Sequence, residues 1–192
     1  MKILVIDAHP DSESFCRALA ESYQKGAAEA GAECNLVHLN ELEFNPMLGA
    51  GYRIPMSLEP DLLRIQEMIK DSEHIVFVYP NWWGTYPALL KGFLDRTFLP
   101  GFAFAHTNKA AAWDKLLRGR SGRLIVTMDT PKWYYHVGFN APGHHAMKKC
   151  VMGYCGIKPV KTLIVTPVKN STAEQRQLWL EKIYAIGKKD AK

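Results

Sequence analysis

This chain of 192 residues lacks the cysteine pairs, long apolar runs and glycine-rich motifs that mark several large protein classes. Its four cysteines include no C-x-x-C pair, and a chain of this length needs no disulfide bonds to fold, so we expect free thiols in a reducing cytoplasm. No apolar run has the length of a signal peptide or a membrane span, and we expect no stable membrane insertion. Neither G-x-G-x-x-G nor a Walker A sequence is present, so the two common glycine-rich nucleotide loops are unsupported.

Basic residues are in excess but are not concentrated along the chain. Lysine and arginine number 24 against 19 acidic residues, which gives a formal net charge of +5. Lys148-Lys149 and Lys188-Lys189 are only pairs, so a solvated basic surface is a better interpretation than a nucleic-acid site. A mild positive field would still attract anionic ligands such as nucleotides.

Five short apolar runs, rich in β-branched residues, predict buried strands. They cover residues 3–6, 34–39, 74–79, 123–128 and 160–165. Helical patterns separate them, and strands that alternate with helices predict a parallel sheet with helices on both faces. We therefore predict one α/β domain over residues 1–192.

The most informative stretch is residues 79–96, YPNWWGTYPALLKGFLDR, which follows the third predicted strand. Pro80 has no N–H to donate and is expected to end that strand. Trp82 and Trp83 then belong to a loop of flat side chains, and a helix is predicted from about Pro87. Loops at the carboxyl ends of strands line the ligand crevice of an open α/β sheet, so this loop suits a planar ligand.

Two further loops would meet the first at the same edge of the sheet. Residues 7–14 form a small polar turn that opens a helix, where free N–H groups and the helix dipole favour phosphate. The simpler alternative for Ser12 and Ser14 is helix capping. Residues 129–136 form a second aromatic loop. Five strands with these loops fit the flavodoxin-like, doubly wound order, and flavin mononucleotide (FMN) has the matching shape of a planar ring with a phosphate.

Two irregular stretches, residues 40–60 and 99–106, carry many apolar side chains. Irregular segments as long as residues 40–60 are uncommon in compact domains, and a lone domain would rarely expose together as many apolar groups as residues 44–52 and 99–104 carry. We therefore expect a homodimer in which each stretch closes the partner's ligand crevice.

The chain resembles the NAD(P)H:quinone oxidoreductase family, which includes the DT-diaphorase-like enzymes and the smaller bacterial quinone reductases. The resemblance is carried by His9 with Ser14-Phe15, by residues 79–96, and by Gly101-Phe102-Ala103-Phe104. Residues 79–96 are the most specific of the three. The resemblance extends over residues 2–165.

The resemblance implies three groups of flavin-binding residues. Around the phosphate and the ribityl chain would lie His9, Ser14, Phe15 and Cys16. Against the isoalloxazine ring would lie Pro80, Asn81, Trp82, Trp83 and Gly84. The pyrimidine edge would meet the backbone of Thr127, Met128, Asp129 and Thr130, although many members of the family have two glycines at the last two positions.

The resemblance also places Tyr135 beside the substrate, so we predict that this catalytic residue donates a hydrogen bond to the acceptor. Phe104 and Trp133 are predicted to bind the substrate as well. The alternative for the aromatic residues is burial in the core or in a subunit contact. No metal site is predicted.

Together these expectations define a flavin-dependent oxidoreductase. NADH or NADPH would give hydride to the flavin, with FMN favoured over FAD, and a quinone or similar acceptor would then take it in ping-pong order. Within enzymes, an azo- or nitroreductase or a flavin reductase stays open. Outside enzymes, the alternatives are a flavodoxin-type electron carrier and a regulatory subunit of a membrane transporter.

Overall fold

A computed structural model of the protein describes residues 1–107 and 112–192. Its strands are β1 (Lys2–Asp7), β2 (Glu33–His38), β3 (His74–Pro80), β4 (Phe104–His106), β5 (Trp113–Lys115), β6 (Ser121–Thr127) and β7 (Val160–Val165). Five of them form one parallel sheet in the order β2-β1-β3-β6-β7, and β4 pairs with β5 in a separate antiparallel hairpin. This is the predicted flavodoxin-like order, and the prediction of the fold is confirmed.

Helices cover both faces of the sheet. They are α1 (Phe15–Glu29), α2 (Pro60–Asp71), α3 (Ala88–Thr97), α4 (Lys132–Val137), α5 (Pro142–His145), α6 (Gly153–Cys155) and α7 (Ala173–Asp190). A π-helical segment, Ala146–Met152, joins α5 to α6, and a single 3₁₀ turn covers Leu39–Glu41. Helices α1 and α7 share one apolar cluster, whereas α2, α3 and the π-helical segment share the other.

Strand β3 lies at the centre of the sheet and is buried along its whole length. Ile75 and Phe77 pack into the cluster of α2 and α3, while Val76 and Val78 pack into the cluster of α1 and α7. Successive side chains of a strand point to opposite faces, so a strand covered on both faces reads as a continuous apolar run. That run is the pattern from which the strand was predicted.

The helix-capping alternative for Ser14 agrees with the structure. Ser14 is the N-cap of α1, where its Oγ accepts from Arg17 N at 3.3 Å, and Gly31 follows the helix with a φ of +90°. The sequence Ser171-Thr172-Ala173-Glu174 has the pattern of a capping box, but the observed box lies one residue later. Thr172 caps α7 together with Gln175, because the first free N–H groups of the helix lie one residue later.

One local prediction was correct and two were wrong. Pro80 is the last residue of β3, as predicted, and it pairs with Thr127 at a position where the loss of its N–H is tolerated. Much of the second aromatic loop is helix α4, which Pro131 precedes as N-cap. The irregular stretch after residue 99 ends in the β4–β5 hairpin. Residues 108–111, which stand between β4 and β5 in the sequence, lie outside the described residues.

One buried side chain, Arg96, fixes the irregular stretch at residues 40–60. The guanidinium of Arg96 is fully buried and pairs with Glu59 at 2.8 Å. It also donates to the carbonyl oxygens of Asn45 and Ser57. These charge-assisted bonds fix residues 45–59 against α3, which leaves their apolar side chains at defined places on the surface.

Helices α1 and α7 approach each other through glycine. A Cβ built on Gly26 would overlap the carbonyl oxygen of Tyr184 and lie 2.8 Å from its carbonyl carbon. A Cβ on Gly187 would lie 3.0 Å from Ala27 N. Ser22 Oγ adds a hydrogen bond to Leu180 O at 2.8 Å. The close contact of the two backbones therefore requires the absence of side chains at both glycines.

We predict that Gly26→Ala lowers the free energy of unfolding by about 1–3 kcal/mol, because the helices must separate to admit a methyl group. This loss exceeds the gain of at most about 1 kcal/mol that alanine brings to a helix. Urea denaturation measures the change. Gly49→Ala is the matched control, since nothing lies within 4 Å of its built Cβ. Equal stability of Gly26→Ala and the wild type would contradict this account of the helix contact.

Candidate functional site

The loops after β1, β3 and β6 meet at the carboxyl edge of the sheet. The rings of His9 and Trp82 contact each other edge to face, with centroids 5.5 Å apart. Asn81 N donates to Thr127 O at 2.7 Å. Cys16 Sγ lies 3.2 Å from Thr127 Oγ1, which joins the start of α1 to the end of β6. The structure thus brings together the three loops that the sequence assigned to one site.

Residues 82–85 form a tight turn with an unusual backbone. Trp82 N donates to Thr85 O at 2.9 Å, and Thr85 N donates to Trp82 O at 3.0 Å. The two central residues, Trp83 and Gly84, have φ values of +52° and +77°, as in a type I′ turn. Such a φ suits glycine but strains a bulky residue by about 1–2 kcal/mol. Trp83 is also fully exposed, so this turn presents an indole ring to solvent at a cost in stability.

The loop after β1 positions a hydrogen-bond donor. His9 Nδ1 accepts from Asp11 N at 3.0 Å, so in the neutral ring the proton resides on Nε2. His9 N donates to the buried carboxylate of Asp7, which also contacts His38 Nδ1 at 3.0 Å. Burial raises the pKa of Asp7 above its usual value. Asp7 therefore fixes the backbone of the loop at His9, and Nε2 is the donor atom of the neutral His9 ring.

Tyr135 does not face an open site, which disagrees with its predicted contact to the acceptor. The side chain is fully buried. Its hydroxyl donates to Gly84 O at 2.9 Å and accepts from Gly143 N at 3.1 Å. Burial raises the pKa of the phenol, so it stays protonated. The Tyr135 hydroxyl, which was predicted to donate to an acceptor oxygen, instead donates to a carbonyl oxygen of the turn at residues 82–85.

The loop after β6 makes backbone hydrogen bonds in place of close glycine contacts. Met128 N donates to Val165 O at 3.0 Å, and the Asp129 carboxylate accepts from Val168 N and Lys169 N. Neither Asp129 nor Thr130 has a positive φ, so neither position requires glycine. Among the described residues, the N–H groups of Asp129 and Thr130 have no acceptor. Two N–H groups are therefore free at the place predicted for the pyrimidine edge.

Some predicted contact residues point elsewhere. The Phe15 ring packs on Trp179 of α7, with Arg176 above it. Cys16 is buried, and burial raises the pKa of its thiol to about 12, so it faces β6 as a neutral group. Trp133 is exposed on α4.

Phe104 lies in a different cavity of about 650 Å³, which Tyr86 and Tyr52 also line. Neither Trp83 nor Tyr135 lines this cavity, so Phe104 does not share a site with the predicted flavin residue Trp83 or the predicted substrate residue Tyr135 within one chain. Both irregular stretches of the sequence contribute residues to the lining of this cavity.

Gly143 is a site residue that the sequence reasoning missed. A Cβ at this position would lie 2.8 Å from both Gly84 O and Thr85 Cα, and 3.1 Å from the Tyr135 hydroxyl. Only glycine lets α5 approach the tryptophan turn so closely. The preceding Pro142, which fits the first turn of a helix, was the available sequence signal.

Comparison with known proteins defines the class. The chain matches the family described as "Flavodoxin-like fold" over residues 1–185, and it belongs to that family. Among individual relatives, it is 31% identical over 169 residues to an uncharacterized NAD(P)H oxidoreductase from Haemophilus influenzae, which covers 84% of this chain and 81% of the relative. The resemblance seen in the sequence is confirmed, as is the expectation of an oxidoreductase enzyme.

Two solved structures share the fold. NAD(P)H:quinone oxidoreductase from Methanothermobacter marburgensis superposes with a TM-score of 0.79 at 22% identity, over 98% of each chain. An FMN-dependent NADH-azoreductase from Bacillus anthracis, solved in complex with FMN, gives 0.73 at 18% identity, over 100% of this chain and 99% of that one. Within residues 1–107 and 112–192, no helix has the length and apolar character needed to cross a membrane.

We predict that Tyr135→Phe lowers the free energy of unfolding by about 0.5–1.5 kcal/mol, since it removes the hydroxyl that bonds to Gly84 O and Gly143 N but keeps the direct bond from Gly143 N to Gly84 O at 2.9 Å. Urea denaturation measures the loss. Tyr134→Phe removes the same hydroxyl from an exposed neighbour and should change stability by less than about 0.5 kcal/mol. If the two variants are equally stable, the Tyr135 hydroxyl does not hold the turn.

Proposed function

We propose that the protein is a flavin-dependent NAD(P)H oxidoreductase, a single domain over residues 1–192 that transfers two electrons to quinones or similar acceptors. The convergence of the three loops around His9, Trp82 and Thr127 carries this proposal. The name of the Haemophilus influenzae relative supports the nicotinamide donor. FMN is the preferred cofactor because the Bacillus anthracis neighbour, which shares the fold, is in complex with it.

The donors of the first loop fit a phosphate. His9 Nε2 carries a proton, and α1 begins a few residues later with the positive end of its dipole toward the loop. Ser14 caps that helix, so its hydroxyl is already used and its part in phosphate binding would be indirect. The loop therefore offers a short anion site, which suits the single phosphate of FMN.

The second and third loops fit a flat ring. Trp82 and Trp83 are exposed, and an indole face that leaves water gains both apolar burial and ring stacking. The free N–H groups of Asp129 and Thr130 match the carbonyl oxygens at the edge of an isoalloxazine. Asn81 and Thr127 hold these two loops at a fixed separation.

When bound, FMN would supply the hydride chemistry, accepting from NADH or NADPH and donating to the acceptor. The chain's own residues would position and shield the bound flavin. The Tyr135 hydroxyl holds the turn at residues 82–85, and Asp7 holds the loop of His9. Nicotinamide and quinone are both flat and would need the same open ring face, so each would exclude the other. This is the basis of ping-pong kinetics.

We predict that Trp83→Ala weakens FMN binding by about tenfold, the equivalent of about 1.4 kcal/mol of lost stacking and burial. Fluorescence titration of the protein with FMN measures the dissociation constant. Trp133→Ala, which removes an exposed indole from α4, is the matched control and should leave FMN affinity unchanged.

The proposal fails if the wild-type protein changes neither the absorbance nor the fluorescence of FMN or FAD. Steady-state kinetics give a second check, because ping-pong transfer requires parallel double-reciprocal plots. Intersecting plots would mean that donor and acceptor bind together, and the shared ring face would be excluded.

The functional unit is proposed to be a homodimer. Met47, Tyr52 and Ile54 are large apolar side chains that stay exposed although Arg96 fixes their stretch of chain. Tyr52 and Phe104 line one cavity, so both irregular stretches contribute to one apolar surface. On this proposal, Phe104 serves the partner's site and not its own.

Light scattering tests the dimer, and we expect twice the chain mass at micromolar concentration. Met47→Ser/Tyr52→Ser should shift the protein toward the monomer, because it removes apolar area from the contact. Leu178→Ser, on the exposed face of α7, is the control and should stay dimeric. A monomeric wild type with full activity would contradict the proposal.

A further inference from the structure

A basic cavity of about 420 Å³ lies beside the candidate site. Lys132 and His136 of α4 form one side, and Lys148 of the π-helical segment and Lys182 of α7 form others. Thr162, Leu163 and Ile164 of β7 form its floor. A volume of this size is in the range of small-molecule sites.

The cavity opens along the free edge of the sheet. Strand β7 is the last in the strand order, so its outer side pairs with no strand of the described residues. Leu163 packs into the cluster of α1 and α7, whereas Ile164 packs against the opposite cluster. Because the cavity touches both residues, it spans the edge and not one face of the sheet.

The charges around this cavity are of one sign. Four lysines line it, Lys132, Lys148, Lys149 and Lys182, and no acidic residue does. In the described part of the chain, none of these lysines has a carboxylate within ion-pair distance. The net charge of the whole chain is +5, so four lysines around one cavity are a local excess of positive charge. Such an excess favours the binding of an anion.

Two buried polar atoms of the lining also lack partners. His144 is 6% exposed, and its Nε2 has no hydrogen-bond partner within the described residues. The same holds for Thr162 Oγ1. Burial, followed by the charges of His136, Lys148 and His145, lowers the pKa of His144 to about 4. A buried polar atom without a partner costs free energy, and a bound ligand would remove that cost.

Helix α4 connects this cavity to the candidate site. The helix spans six residues, or about 9 Å at the usual rise. Tyr135 binds Gly84 of the tryptophan turn, and its ring contacts the ring of His144 in the cavity lining, with centroids 4.9 Å apart. Lys132 and His136 of the same helix line the cavity. A ligand that reached from the turn to the cavity would have a ring at one end and negative charge at the other.

We propose that the cavity binds the phosphate groups of the nicotinamide dinucleotide whose ring enters the candidate site. This inference rests on the proposed function, because it assumes that donor. Lysines are common phosphate ligands, and the His144 and Thr162 side chains add neutral donors at the floor.

Calorimetric titration of the protein as purified, with inorganic pyrophosphate and with NADP⁺, tests the inference without any turnover. Lys148→Gln/Lys182→Gln should weaken both dissociation constants by at least about tenfold, because two charge-assisted contacts to phosphate are lost. Lys25→Gln/Lys189→Gln makes the same charge change on exposed positions outside the cavity, and it should alter neither constant by more than about twofold.

Pyrophosphate should also displace NADP⁺, since both would occupy the same lysines. Unchanged NADP⁺ affinity in Lys148→Gln/Lys182→Gln would overturn the inference, as would simultaneous binding of the two anions. These readouts are separate from the FMN titration. A protein that binds FMN but fails here refutes the phosphate site alone, whereas failure to bind any flavin refutes the proposed function.

Discussion

The hydroxyl of Tyr135 connects the two halves of the candidate site. It receives the N–H of Gly143 and donates to the carbonyl of Gly84, and this pair of bonds reinforces the direct bond from Gly143 N to Gly84 O that joins the start of α5 to the tryptophan turn. The turn contains two residues of positive φ, and its conformation is not the one that a tryptophan prefers. A strained turn persists only where its surroundings specify it, and this pair of hydrogen bonds does so.

The fold could be predicted because the core strands of a doubly wound sheet have a simple pattern in the sequence. Strands buried on both faces are continuous apolar runs, and all five were predicted within a few residues of their observed ends. Helix α4 was missed since its aromatic residues favour neither helix nor loop strongly, and its only start signal is Pro131. The β4–β5 hairpin has three residues in each strand, which is too short to give an alternating pattern.

The candidate site was predicted in its location but not in the direction of its side chains. Chain order alone places the loops of His9, Trp82 and Thr127 at one edge, because parallel strands end together. Whether Phe15 points to a ligand or to α7 depends on Trp179, which lies more than 160 positions further along the chain. Tyr135 is similar, since its partners come from two other segments. Sequence spacing carries no information about such distant contacts.

Two departures from ordinary protein chemistry lie at the candidate site and at the cavity beside it. In the core, charges such as Arg96 have partners, and close contacts such as that of Gly26 with Tyr184 fit their residues. At the carboxyl edge, Trp83 is exposed on a strained backbone, and the buried His144 Nε2, beside a cavity lined by lysines, has no hydrogen-bond partner in the part of the chain that the structure describes. Each feature costs stability that the fold must supply from elsewhere. A ligand with a flat ring and negative charge would relieve both costs, which is the physical reason to place binding at this edge.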